Sequence, residues 1–166
     1  GQDSVTIKYL TAEAEDIIFD PQLIKSGRVL DVVLSEGIVK KPGQLDIDDM
    51  LVAHRNAIIV ELRKSGLDSD YKLGEKVCSN CGEKHSPVID LDDIKHKKIT
   101  EIPDSEGMFT VTLPVTKKVV KFRLLDGKDE KYLSKVSSKT GKNVKYSKTA
   151  TSRNLRQIMS VNGNED

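Results

Sequence analysis

The sequence predicts an α+β protein: a helical N-terminal half, a small antiparallel β-module with a Cys-x-x-Cys knuckle, and a basic helical or extended C-terminal part. Three observations predict it. Capped segments with a helical apolar face fill residues 11 to 66, four short strand-like runs follow between 71 and 125, and lysine then dominates. The corresponding domains are 1–67, 68–125 and 126–166.

SVTIKYL (4–10) alternates Val5, Ile7 and Tyr9 with polar neighbours and reads as a strand. Thr11 can cap a helix whose first turn holds Glu13, Glu15 and Asp16, where the helix dipole favours anions. Asp20-Pro21 restarts the chain as N-cap and first helical residue, and Gly27 breaks that segment. Val29 to Leu34 has a wide apolar face and reads as helix. KKPGQ (40–44) reads as a loop, and Asp46 to Leu51 as a capped helical turn. HRNAIIVELRKSG (54–66) is a helix with Ile58, Ile59 and Leu62 on one face and Gly66 as its stop.

YKLGEKV (71–77), SPVIDL (86–91), MFTVTLPV (108–115) and KVVKFRLL (118–125) read as strands. DGKDEKYLSKV (126–136) reads as a helix from Asp126, with Tyr132, Leu133 and Val136 on one face. SSKTGKNVKYSKT (137–149) reads as a polar loop, and RNLRQIMSV (153–161) is apolar again. It ends on Asn162-Gly163, a strong hairpin signal with no returning strand behind it. That ending, and a start without Met, lead us to expect a piece of a longer polypeptide.

Composition narrows the class. With 166 residues, 37% apolar and 32% charged, the chain can bury a mostly aliphatic core. No segment is long and apolar enough to span a bilayer, and no signal peptide is recognisable. Two cysteines point to a reducing compartment. The net charge of +1 hides an asymmetry: residues 1–116 hold 14 basic and 21 acidic side chains, and residues 117–156 hold 13 and 3. Such segregation suggests a charged partner surface.

Cys78-Ser79-Asn80-Cys81-Gly82 has the spacing of a zinc knuckle, with a glycine for the left-handed turn. Further ligands could come from His85 and His96, although ten residues between histidines is unusual for a zinc finger. A site shared between two chains, each giving two cysteines, is a second option, and a metal-free turn a third. A redox pair fits least, because CxxC reductases open a helix with the motif and this one heads into a strand. His54 reads as a surface residue. The pairs Asp48-Asp49 and Asp92-Asp93 read as caps or solvated loops. No GxSxG, HExxH or P-loop pattern occurs. Lys139, Lys142, Lys145 and Lys148, with Tyr146 among them, read first as a solvated loop, then as a protein-facing surface, and last as a nucleic-acid contact.

TAEAEDII (11–18), LVAHRNAIIVELRKSGLDSDYK (51–72), VCSNCG (77–82) and FTVTLPVTKKVVKFRLLDGKDEKYL (109–133), in that order, resemble the baseplate hub assembly proteins of T4-like bacteriophages. The resemblance spans nearly the whole chain and is most telling over 113–130, a hairpin followed by Gly-x-Asp-Glu opening a helix. Arg55-Asn56 and Leu62-Arg63 add to it. It implies a non-enzymatic assembly or structural role in a contractile tail, in the host cytoplasm during assembly and then in the baseplate. The implied partners are hub, tail or tape-measure proteins, with no membrane or small-molecule substrate. A basic surface of Lys117, Lys118, Lys121, Arg123 and Lys128 would then face acidic neighbours, and the cysteines would stabilise a β-module with or without zinc. The alternative is a zinc-ribbon-like module that binds nucleic acid or regulates transcription.

Overall fold

The computed structural model describes residues 4–40, 46–95, 100–139 and 149–163, and shows the expected α+β chain of helices and small antiparallel sheets. Two units interleave along the sequence. One comprises Gly1–Gln44 with Asn56–Lys97, the other Leu45–Arg55 with Lys98–Asp166. A reading of consecutive segments does not capture this division.

In the first unit, the strand read over 4–10 is confined to β1 (Thr6–Ile7), which pairs with β2 (Ile38–Lys40). Between them lie α1 (Ala12–Phe19), α2 (Pro21–Ser26) and α3 (Val29–Gly37). Thr11 occupies the N-cap of α1 but its side chain makes no cap bond. Asp20 does cap α2, its Oδ1 accepting from the Gln22 and Leu23 amides at 2.7 and 2.9 Å. Gly27 ends α2 at φ 69°. Helix α4 (Val52–Gly66) supplies Leu62, which with Ala14, Val33 and Leu34 is buried. Gly37 is needed at this contact: a Cβ there would lie 2.7 Å from both Leu62 methyls.

The single strand expected over 71–77 is two. Gly74, at φ 68°, splits it into β3 (Asp70–Lys72) and β4 (Lys76–Val77). These have different partners: β3 pairs with β6 (Val88–Asp90), and β4 pairs with β5 (Lys84–His85). The resulting ribbons bury little. Tyr71, Leu73, Val77, Val88 and Ile89 are exposed, and Leu91 behind β6 is buried.

The second unit holds the sheet β7 (Phe109–Thr112), β8 (Val119–Phe122), β9 (Ile158–Val161), with β8 in the middle. Phe109 faces Phe122 across the first ladder, their rings stacked at 5.7 Å. Helix α5 (Gly127–Lys139) begins where Asp126 predicts, and α6 (Thr149–Gln157) runs directly into β9. The segment read as apolar over 153–161 is therefore half helix and half strand. Asn162 and Gly163 adopt φ 52° and 80°, both left-handed, as a hairpin turn of the Asn-Gly type requires. The Asn162 amide donates to the Val119 carbonyl at 2.7 Å, and its Oδ1 accepts from the Val119 amide at 2.9 Å. Met50, Val120, Leu125 and Leu133 are buried. Of the stretch read as a polar loop, 137–139 belong to α5, whereas Lys142, Lys145, Tyr146 and Lys148 lie outside the described residues.

Candidate functional site

The knuckle sits in the first unit, where β4 and β5 pair as Lys76 opposite His85 and Val77 opposite Lys84. The Cys78 amide donates to the Glu83 carbonyl at 2.8 Å, and the Gly82 amide donates to the Cys78 carbonyl at 2.9 Å. Gly82 closes the turn at φ 73°, where a side chain would be strained. The amides of Cys81 and Asn80 hydrogen-bond the Cys78 sulfur, and with the Cys81 thiol they hold the Cys78 thiol below its usual pKa. Cys78 is half-buried, Cys81 is exposed, and both are free thiols.

His85 does not join the two sulfurs. Strand β5 carries it back along the hairpin to the level of Lys76, and no group of three metal-ligating side chains forms among the described residues. His96 lies outside the described residues. What the structure offers is a pair of sulfurs, one of them pre-set by backbone amides.

The five predicted surface cations fall into two groups. Lys121 reaches Asp104 and Glu106, each at 3.0 Å, and these acids raise its pKa, Asp104 most strongly. Arg123 grips Asp129 with both terminal nitrogens, at 2.7 and 2.8 Å. Lys128 pairs with Asp49. These three are already neutralised within the second unit. Lys117 and Lys118 are exposed in the β7–β8 turn, with Lys117 at φ 56°. The turn is closed by the Leu113 amide on the Lys118 carbonyl and the Lys117 amide on the Leu113 carbonyl. Around it Val111, Leu113, Val115 and Val119 are exposed, Val115 at 87%.

The second unit also contains a buried polar network that sequence reasoning missed. Asp126 and Asp129 cap each other at the start of α5: Asp126 Oδ1 accepts from the Asp129 amide at 2.9 Å, and Asp129 Oδ2 from the Asp126 amide at 3.2 Å. This is a capping box with aspartate in place of glutamate. Asp129 is 1% exposed and also meets Arg156 Nε at 3.0 Å. The Arg156 guanidinium in turn lies 4.5 Å over the Tyr132 ring. Burial alone would raise the Asp129 pKa, but Arg123, the Asp126 amide and Arg156 outweigh it and hold the carboxyl below the usual range.

Arg55 is equally buried. Its Nη1 donates to the Ile47 carbonyl at 3.0 Å and its Nε stands 3.3 Å from Glu130. Of the pairs read as caps or solvated loops, Asp49, Asp92 and Asp93 are exposed, and neither pair supplies a cap. Asp46 and Asp90 cap the 3-10 turns Ile47–Asp49 and Leu91–Asp93. Asp48 instead accepts twice from Lys131 at 2.7 Å, and Asp92 pairs with Lys64 at 2.6 Å. His54 is exposed, as expected.

No family model matches the chain, and neither do the curated proteins and solved structures compared with it. No helix among the described residues is long and apolar enough to cross a membrane.

Proposed function

We propose that this chain is a non-enzymatic structural or assembly protein of a contractile phage-tail baseplate hub, working through protein–protein contacts in the host cytoplasm and in the tail. The partners are other hub, tail or tape-measure proteins. The observation that carries this reading is the division of labour within 109–133, the tract that contains the most telling part of the resemblance. Its second part is sunk into the ion-pair network through Arg123, Asp129 and Glu130. Its first part ends in a hairpin that leaves Val111, Leu113 and Val115 exposed. Lys117 and Lys118 stand in the same turn. Exposed aliphatics bordered by cations suit a partner face with an apolar centre and an acidic rim.

The experiment is affinity capture of the tagged protein from infected cells after nuclease treatment, read by mass spectrometry, beside a Lys117→Glu, Lys118→Glu variant. Tail proteins retained by the first and lost by the second support the proposal. Phage proteins that disappear with nuclease, or capture dominated by polymerase subunits, overturn it in favour of a nucleic-acid module.

A further inference from the structure

We propose that the knuckle is half of a zinc site, completed by Cys78 and Cys81 of a second copy of this chain. This inference does not depend on the baseplate reading.

A structural zinc site takes four protein ligands in a tetrahedron, and thiolates are its commonest donors. The 166 residues hold two cysteines, so this knuckle supplies half of a four-thiolate site, and a second copy carries the matching pair. The local geometry is that of a donor pair rather than of an ordinary hairpin turn. Two amides, from Asn80 and Cys81, are directed at the Cys78 sulfur. Such N–H···S bonds spread the charge of a metal-bound thiolate, the role that outer hydrogen bonds play around metal ligands generally. The turn that aims them depends on the left-handed Gly82 and on the paired bonds between Cys78, Gly82 and Glu83.

The surroundings point the same way. Cys81 is exposed at the end of a two-stranded hairpin, where a second copy can reach it. Val77, beside Cys78, is 62% exposed and would be covered by the same approach. A zinc held by four thiolates has a net double negative charge, and Lys76 lies on a strand that leads into the turn, while Lys84 on the other strand is paired with Glu75 at 2.9 Å. The ribbons themselves lack a core, and two-stranded ribbons are marginal without one. Metal binding would supply the missing stabilisation, since its free energy is folding free energy where the site forms only in the folded chain. Ligation balances as four thiols giving up four protons to solvent, and four sulfur–zinc bonds forming, with no change of oxidation state.

The test is native mass spectrometry of the full reduced chain, purified with zinc, with elemental analysis. A spectrum of the cobalt-substituted protein is taken alongside. The expected species is a dimer holding one zinc, converted to metal-free monomer by chelator, with a cobalt spectrum typical of four thiolates. Because Cys78→Ser with Cys81→Ser could unfold the ribbons, His85→Ala serves as the second variant, and it should leave stoichiometry and spectrum unchanged. One metal per monomer with mixed sulfur and nitrogen ligation would overturn the shared site. So would zinc lost on His85→Ala, a dimer indifferent to chelator, or a chain that takes up no zinc or cobalt.

Discussion

The absent side chain of Gly127 is the space that the Arg55 guanidinium occupies. A Cβ on Gly127 would lie 2.7 Å from Arg55 Nη1 and 3.0 Å from the Asp48 carbonyl oxygen. The first residue of α5 is therefore a glycine because of packing, not because of its backbone angles.

Gly127→Ala should accordingly destabilise the second unit by about 1–3 kcal/mol, the usual cost of overpacking a filled interior. Arg55 can yield only by giving up its bond to Ile47 or its ion pair with Glu130. Hydrogen exchange followed by mass spectrometry would show faster exchange over 46–52 and 124–133, with β3 to β6 unchanged. Uniform acceleration across the chain would refute the local account.

Asp129→Asn should cost about 3 kcal/mol, because it leaves two guanidinium partners facing a neutral amide. The pH dependence has a definite sign. The Asp129 carboxyl is held below its ordinary value in the folded chain, whereas an unfolded aspartate titrates near ~3.9. Its stabilisation is thus complete above that value and is lost as pH falls through the lower folded pKa. Denaturant midpoints measured from neutral pH downward should drop below about pH 4, and should drop less in Asp129→Asn.

A smaller effect is expected at α2. Asp20→Ala removes two cap bonds and should cost about 1 kcal/mol. Because α2 buries none of its residues, the loss should appear as local fraying of 21–26 in hydrogen exchange, with little change in the global midpoint.

At the hairpin tip, Lys117→Glu with Lys118→Glu should leave the circular dichroism spectrum and thermal midpoint unchanged, since among the described residues neither lysine is held by an acid in the way that Lys121 is. The same reversal at Lys121 should instead loosen the turn containing Asp104, whose carboxylate also accepts from the Met108 and Glu106 amides. Equal stability of the two variants would mean that the division between free and engaged cations is mistaken.

Local chemistry was legible in the sequence. Asp20-Pro21 and Asp126 mark helix starts through side-chain caps, which act over a few residues, and Gly66 does end α4, although it is held there by close packing on Leu10 rather than by a left-handed φ. The knuckle turn was legible too, since Cys-x-x-Cys-Gly carries its own geometry. The split of 71–77 was missed because period-two alternation says nothing about where a ladder changes partner, although Gly74 stood in the middle of it. The polar network was missed because its pairs are far apart in sequence, as with Asp48 and Lys131, 83 residues distant. For the same reason Lys128, paired with Asp49, looked like free surface charge, whereas Arg123 did so although its partner Asp129 is only six residues away. The one signal that could have found the network was Gly127 in Gly-Lys-Asp-Glu (127–130), a glycine at the first helical position that local propensity does not explain.

The discontinuity of the second unit has a consequence for the order in which a ribosome delivers it. Residues 45–55 emerge early, but the α5 residues that receive Asp48 and Arg55 come much later. At about 5–20 residues per second, Asp48 waits roughly 4–17 s for Lys131. Throughout that interval Arg55 lacks Glu130, and the first turn of α4 lacks the Leu125 carbonyl that receives the Val52 amide. Strand β9 comes later still, so the sheet is finished last. The nascent chain therefore carries an unfinished acidic segment through most of its synthesis, and a stall between 56 and 126 would strand it.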